Sequence, residues 1–185
     1  MGRSWEADLP RFFSSGGYRQ PMVIRAITAK DGVLYRELLL SLDDRDRYLR
    51  FFHSVPHIGE SEVAPFVHDR PDMIGLIAID DGKAVGAAHA FINLDDSSAE
   101  FAVEVRPDYR HHGIGGKLLA KVTEELRARG VQELVAHSLY DNTEFALIAA
   151  EARMQPKSES AGINLWSLHL GSQAPCGDGR EVLPP

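Results

Sequence analysis

The segment Phe101–Lys117 constrains this chain more than any other stretch. Phe101-Ala102-Val103-Glu104-Val105 alternates as a strand, Arg106-Pro107-Asp108 turns, and Tyr109 to Gly116 is basic and rich in glycine. Ile114 then opens an apolar stripe with helical spacing. A helix entered this way exposes unpaired, positively polarised backbone N–H groups at its start. Glycines remove the Cβ atoms that would hold a ligand away from that backbone. The result is a site for a phosphate or pyrophosphate. Arg110, His111, His112 and Lys117 stand around it as side-chain donors.

The spacing of the glycines discriminates between phosphate loops. A P-loop requires Gly, four residues, then Gly-Lys-Ser/Thr, but Gly116-Lys117 is followed by Leu118. A dinucleotide fingerprint requires a third glycine, and Leu118 occupies that position. What remains is Arg-x-x-Gly-x-Gly, read from Arg110, Gly113 and Gly115 with Ile114 and Gly116 beside them. This loop resembles the acetyl-CoA pyrophosphate loop of the GNAT N-acetyltransferase superfamily.

The chain has 185 residues, enough for one domain with short extensions. Its hydrophobic fraction of 44% can supply a core. A formal charge of −7 argues against general nucleic-acid binding. Cys176 is the single cysteine, so no internal disulfide can form. No apolar run reaches membrane-spanning length, and the first residues lack the long apolar stretch of a signal peptide. A cytoplasmic protein is therefore expected.

Periodicity predicts a strand at Val23–Ile27, a helix opening at Asp31-Gly32, a second from Asp43 to Phe52 and helical turns from Glu60 to Val67. Strands follow at Met73–Ile79, Ala84–Ile92 and Ala99–Val105, joined by the turns Asp80-Asp81-Gly82-Lys83 and Asp95-Asp96-Ser97-Ser98. They read as an antiparallel meander. Ile114 to Arg129 reads as an amphipathic helix with Gly130 as its cap, Val131–Ser138 as a strand, and Asp141 or Asn142 as the cap of a helix reaching Ala152. Ile163–Leu170 is expected to close the sheet. Residues 1–20 are expected to be an N-terminal extension, 21–170 the domain, and 171–185 a flexible tail.

This order of elements is similar to that of the GNAT superfamily. The resemblance implies an α/β (α+β) fold: a mixed, mostly antiparallel sheet, helices on both faces, and a fourth strand splayed from the fifth. It further implies that acetyl-CoA is the cosubstrate, with no metal. Its pantetheine would lie in the gap and pair with backbone groups near Val103 and Val105. The pyrophosphate would meet the loop from Arg110 to Lys117, and Asn142 and Phe145 would stand near the cofactor.

A lysine amine has a reference pKa of about 10.4 and needs a base before it can attack a thioester. Ala99-Glu100-Phe101-Ala102-Val103-Glu104-Val105 resembles the strand of Pat-type bacterial protein lysine acetyltransferases, which places the base on Glu100. Glu104 is the alternative. Arg47-Tyr48-Leu49-Arg50-Phe51-Phe52 resembles the same group beside its acceptor cleft; Arg47 and Arg50 can meet an acidic substrate or pair with Asp43, Asp44 or Asp46. The superfamily's tyrosine acid has no counterpart, since Ile148, Ala149 and Ala150 occupy that region; Tyr140 can substitute, or water can protonate the thiolate. The resemblance implies transfer to a protein lysine, an acyl-CoA synthetase being one candidate acceptor, with two alternatives: a small-molecule amine acceptor, or an acyl-CoA-binding regulatory module with little turnover. Exposed strand edges in such a fold allow a homodimer.

Overall fold

The computed structural model describes residues 21–160 and 162–171. The expected extension over 1–20 lies outside the described residues, as does all of the expected tail except Gly171. Seven strands form one sheet: β1 (Val23–Ala26), β2 (Met73–Asp80), β3 (Lys83–Asn93), β4 (Ser98–Val105), β5 (Glu133–Leu139), β6 (Gln155–Ser160) and β7 (Ile163–His169). The helices are α1 (Gly32–Ser41), α2 (Asp44–Phe51), α3 (Glu60–Val67), α4 (Ile114–Ala128) and α5 (Thr143–Glu151).

The spatial order is β1-β2-β3-β4-β5-β7-β6. Every neighbouring pair is antiparallel except β4 and β5. The meander β2-β3-β4 forms as its turn signals predict. Two elements differ from the sequence reading. Ile163–His169 does not close the sheet; it lies between β5 and β6. The edge strand β6, Gln-Pro-Lys-Ser-Glu-Ser, lacks any apolar alternation. An edge tolerates proline and polar residues because one side of its backbone faces solvent.

Each face of the sheet carries a core. On one face Tyr35, Leu38, Leu39, Val63 and Val67 of α1 and α3 pack on Ile77, Ala84 and Ala87. On the other, Leu118, Leu119, Val122 and Leu126 of α4, with Phe145 and Ala149 of α5, cover Leu76, Ala88, Ala90, Phe101 and Ala136. The stripe read from the sequence is thus the buried face of α4. Local signals set the helix ends. Asp43 Oδ1 accepts from the Asp46 N–H at 2.8 Å, and Asn142 Oδ1 from the Phe145 N–H at 3.0 Å. Asp31 receives both the Arg25 guanidinium and Thr28, and the Arg25 hydrogen bonds draw its carboxyl down to about 2.

Between α1, α2 and the sheet lies a buried polar cluster. Arg50 Nε donates to Glu104 Oε2 at 2.9 Å, with the two side chains 8% and 2% exposed. The guanidinium also stacks over Phe66, 4.6 Å from the ring centre. Arg50 therefore pairs with Glu104, not with the aspartates near it in sequence. His89 is fully buried, its Nε2 3.1 Å from the Phe66 carbonyl oxygen and its Nδ1 3.8 Å from Glu104 Oε1. Burial pushes the Glu104 carboxyl up against the opposing pull of Arg50. Burial also holds the His89 pKa down at about 3, with the Arg50 charge adding to the effect.

Two consequences are measurable by urea unfolding. Folded His89 stays neutral while the unfolded residue titrates near 6.5. The unfolded state thus binds the extra proton, and stability falls as pH drops from about 6.5 toward 3, by up to about 1.4 kcal/mol per pH unit. His89→Phe should flatten that limb between pH 6.5 and 4.5; an unchanged slope would refute the assignment. Arg50→Met should cost about 3–5 kcal/mol by leaving the Glu104 carboxylate buried alone. Adding Glu104→Leu should recover most of it.

Candidate active site

The parallel ladder between β4 and β5 spans three pairs, Ser98–Glu133, Ala99–Leu134 and Glu100–Val135. Beyond Glu100 the strands diverge. β4 continues against β3 as far as Val105, and β5 continues against β7 as far as Leu139. A cavity of about 510 Å3 occupies the fork. Glu100, Phe101, Ala102, Val103, Glu104 and Val105 all line it. Successive residues of a strand point to opposite faces. Leu49, Arg50 and Phe66 from one face and Ile114, Phe145 and Ile148 from the other line the same cavity, so it spans both faces of the sheet where β5 is missing.

One end of the cavity is the glycine loop. Gly113, in the left-handed region at φ 71°, precedes the first residue of α4 and supplies no capping side chain. The N–H groups of Ile114, Gly115 and Gly116 in that first turn lack the i−4 partners that an interior turn would supply. A Cβ on Gly115 would lie 2.6 Å from Ile148 Cδ1, so glycine allows α5 to approach this turn. These donors fit an anionic phosphate. Arg110 points across to Asp46 of α2, forming an ion pair whose members are 27% and 13% exposed. His111, at φ 59°, places its Nε2 3.5 Å from Glu144.

The other end is the crotch of the fork. Glu100 is exposed, and its Oε1 is 3.1 Å from His137 Nδ1 on β5. Both side chains line the cavity. Glu104 reaches the same cavity from below but is committed to Arg50. The sequence-predicted residues therefore divide. Glu100, Val103, Glu104, Val105, Arg110, His111, Gly113, Ile114, Gly115, Gly116, Asn142 and Phe145 surround one space. His112, Lys117 and Tyr140 are not among the lining residues; Tyr140 is 69% exposed. His112 Nδ1 instead meets the Arg110 carbonyl oxygen at 2.6 Å.

Sequence reasoning missed His137, a lone histidine on a strand. Its signal is positional: it stands two residues beyond the last β4-paired residue, on the same face as Glu100. Leu49 and Phe52 of the α2 region line the cavity, while Phe51 packs with the α1/α3 core, so the aromatic run serves both. Among the described residues no group of three or more His, Cys, Asp or Glu side chains is arranged to hold a metal ion. No helix among them is long and apolar enough to cross a membrane.

Comparison with known proteins places this architecture. The GNAT domain of the Streptomyces lividans PAT protein superposes with a TM-score of 0.74 at 22% identity, covering 79% of this chain and 89% of that one. A Salmonella typhimurium structure with its cofactor acetyl-CoA gives 0.66 at 17% identity, over 83% and 96% of the two chains. A Vibrio cholerae spermidine N-acetyltransferase in complex with CoA and spermine gives 0.63 at 14%, over 80% and 95%. At these identities the likeness is one of fold. The amino-acid acetyltransferase of Pectobacterium atrosepticum is 32% identical over 92 residues, 48% of this chain, and the chain spans about 21% of that relative's length. The acetyltransferase (GNAT) family model matches residues 39–145, more than half of the chain and all of the fork and the glycine loop. This chain belongs to the GNAT acetyltransferase family.

Proposed function

We propose that the chain transfers the acetyl group of acetyl-CoA to a primary amine, that the acceptor is a protein lysine, and that the Glu100 carboxylate supplies the basicity. The observation that carries this reading is the fork: a cavity through the sheet, with phosphate-type donors at one end and an exposed carboxylate at the other. Within it, the unpaired edge of β4 offers N–H and C=O groups to an extended ligand, as an exposed strand edge does. A strand N–H turned toward a thioester oxygen would stabilise the charge that develops there. The protein acceptor is supported by the Pat-like sequence around Glu100 and Arg47–Phe52 and by the fold shared with the Streptomyces lividans domain.

The chain's own residues then have defined tasks. The first turn of α4 and Arg110 bind the anionic end of the cosubstrate. Phe145 and Ile148 exclude water from its middle. Glu100 draws a proton from the acceptor ammonium. The departing thiolate has a reference pKa near 8.5 and can be protonated by water, which suits a site where Tyr140 stands outside the cavity lining. A cytoplasmic setting goes with this use of acetyl-CoA.

Calorimetric titration with acetyl-CoA, followed by thiol release with lysine peptides and with spermidine, tests the assignment. Binding with release on a lysine peptide is expected; release on spermidine alone would move the acceptor to small amines. No binding would overturn the reading. Glu100→Gln should lower turnover at neutral pH by roughly 100-fold or more while leaving acetyl-CoA affinity near normal. Asp46→Asn frees Arg110 for a phosphate and should tighten acetyl-CoA binding several-fold, by about 1 kcal/mol, the scale of a partly exposed ion pair. An unchanged Kd would remove Arg110 from the phosphate site.

A further inference from the structure

The cavity holds an acid–base group that the proposed reaction has not used. Val135 is the last residue of β5 paired to β4, and His137 lies two residues further, on the side of the sheet away from the α4 core. Its Nδ1 is 3.1 Å from Glu100 Oε1, with the two side chains 41% and 57% exposed. An ionised carboxylate offers only lone pairs, so the ring must donate through an Nδ1–H. A neutral imidazole bonded in this way carries its free lone pair on Nε2.

We infer that Glu100 and His137 act as a dyad in which His137 Nε2 takes the proton of the acceptor ammonium and Glu100 holds the ring. This rests on the reading that the Glu100 carboxylate serves the transfer, and deepens it by moving the proton one group further. His137 is then a catalytic residue, and Glu100 acts through it as a positioning residue. The acceptor ammonium loses one proton to Nε2. Its nitrogen bonds to the thioester carbon and the C–S bond breaks. The nitrogen's second proton leaves to the thiolate, directly or through solvent, and the imidazolium returns its proton to solvent. The Glu100 carboxylate stabilises the imidazolium while it lasts.

Basicity favours this division of labour. Reference pKa values are about 10.4 for an ammonium, 6.5 for an imidazole and 4.3 for a glutamate. The transfer is uphill by about four units to an imidazole against about six to a lone carboxylate, and a base near neutrality is the more effective one. The surroundings leave His137 to Glu100. Opposite it on β7 is Leu165, flanked by Asn164 and Trp166, none of which titrates in this range. Across the cavity Arg50 is held by Glu104, Arg110 by Asp46, and His111 by Glu144. Glu151 stands at the loop end, beside Gly116.

The test compares His137→Gln, His137→Ala and Glu100→Gln on the full chain, with acetyl-CoA and a lysine peptide. His137→Gln keeps an N–H for Glu100 but removes the base. Its kcat/KM should fall roughly 100-fold or more at neutral pH, and the acidic limb of the wild-type pH profile should vanish. Acetyl-CoA affinity and melting temperature should stay near wild type. Free imidazole should restore turnover to His137→Ala by about tenfold or more, which a purely structural role would not allow. A His137→Gln enzyme within about threefold of wild type, with its pH limb intact and Glu100→Gln inactive, would overturn the dyad and leave Glu100 as the base. Normal activity in both variants would overturn the dyad together with the Glu100 assignment. Wild-type protein that does not bind acetyl-CoA would overturn the parent reading itself.

Discussion

The hydrogen-bond ladder between β4 and β5 stops after three pairs, and the site depends on that stop. Had the ladder continued, residues 101–105 would have been sealed on both edges, and the layers above and below the sheet would have been separate. Because it stops, five residues of β4 keep one free edge, about 16 Å long at the usual strand rise. Glu100 marks one end of that edge and the unpaired amides of α4 mark the other. The backbone between them is open to pair with an extended ligand.

The same break explains why two glutamates on one strand face meet different fates. Glu100 and Glu104 are four residues apart and point the same way. Over Glu104 sit α1 and α2, which bring Tyr35 and Arg50, and the carboxyl is buried as half of an ion pair. Over Glu100 the described residues bring only the edge of the fork and His137, and the carboxylate faces solvent. One oxygen of the buried carboxylate, Oε2, is already taken by the Arg50 guanidinium.

Much of this was legible in the sequence where local chemistry dictates conformation. Gly113 and Gly115 specified the loop because few other residues fit there, the α4 stripe and the meander turns read directly, and the cap narrowed to Asp141 or Asn142, of which the structure uses Asn142. The parts that did not read are those decided by neighbours distant in sequence. Strand β6 is polar because it is an edge, which no periodicity within it reveals. Arg50 has three aspartates within seven residues, yet its partner is Glu104, 54 residues away. His137 gains meaning only from the register that sets Glu100 beside Val135.

Helix α2 contributes no fully buried residue. Ion pairs tie it to the rest of the chain: Arg45 to Asp141 before α5, Asp46 to Arg110 in the glycine loop, and Arg50 to Glu104 on β4. In this wall, charge adds to the packing of Phe51 against the α1/α3 core. Its outward residues can be exchanged without opening a hole in the core, so long as the three anchors remain. Substitutions on the outer side of α2 can therefore accumulate while the fork between β4 and β5 is left untouched.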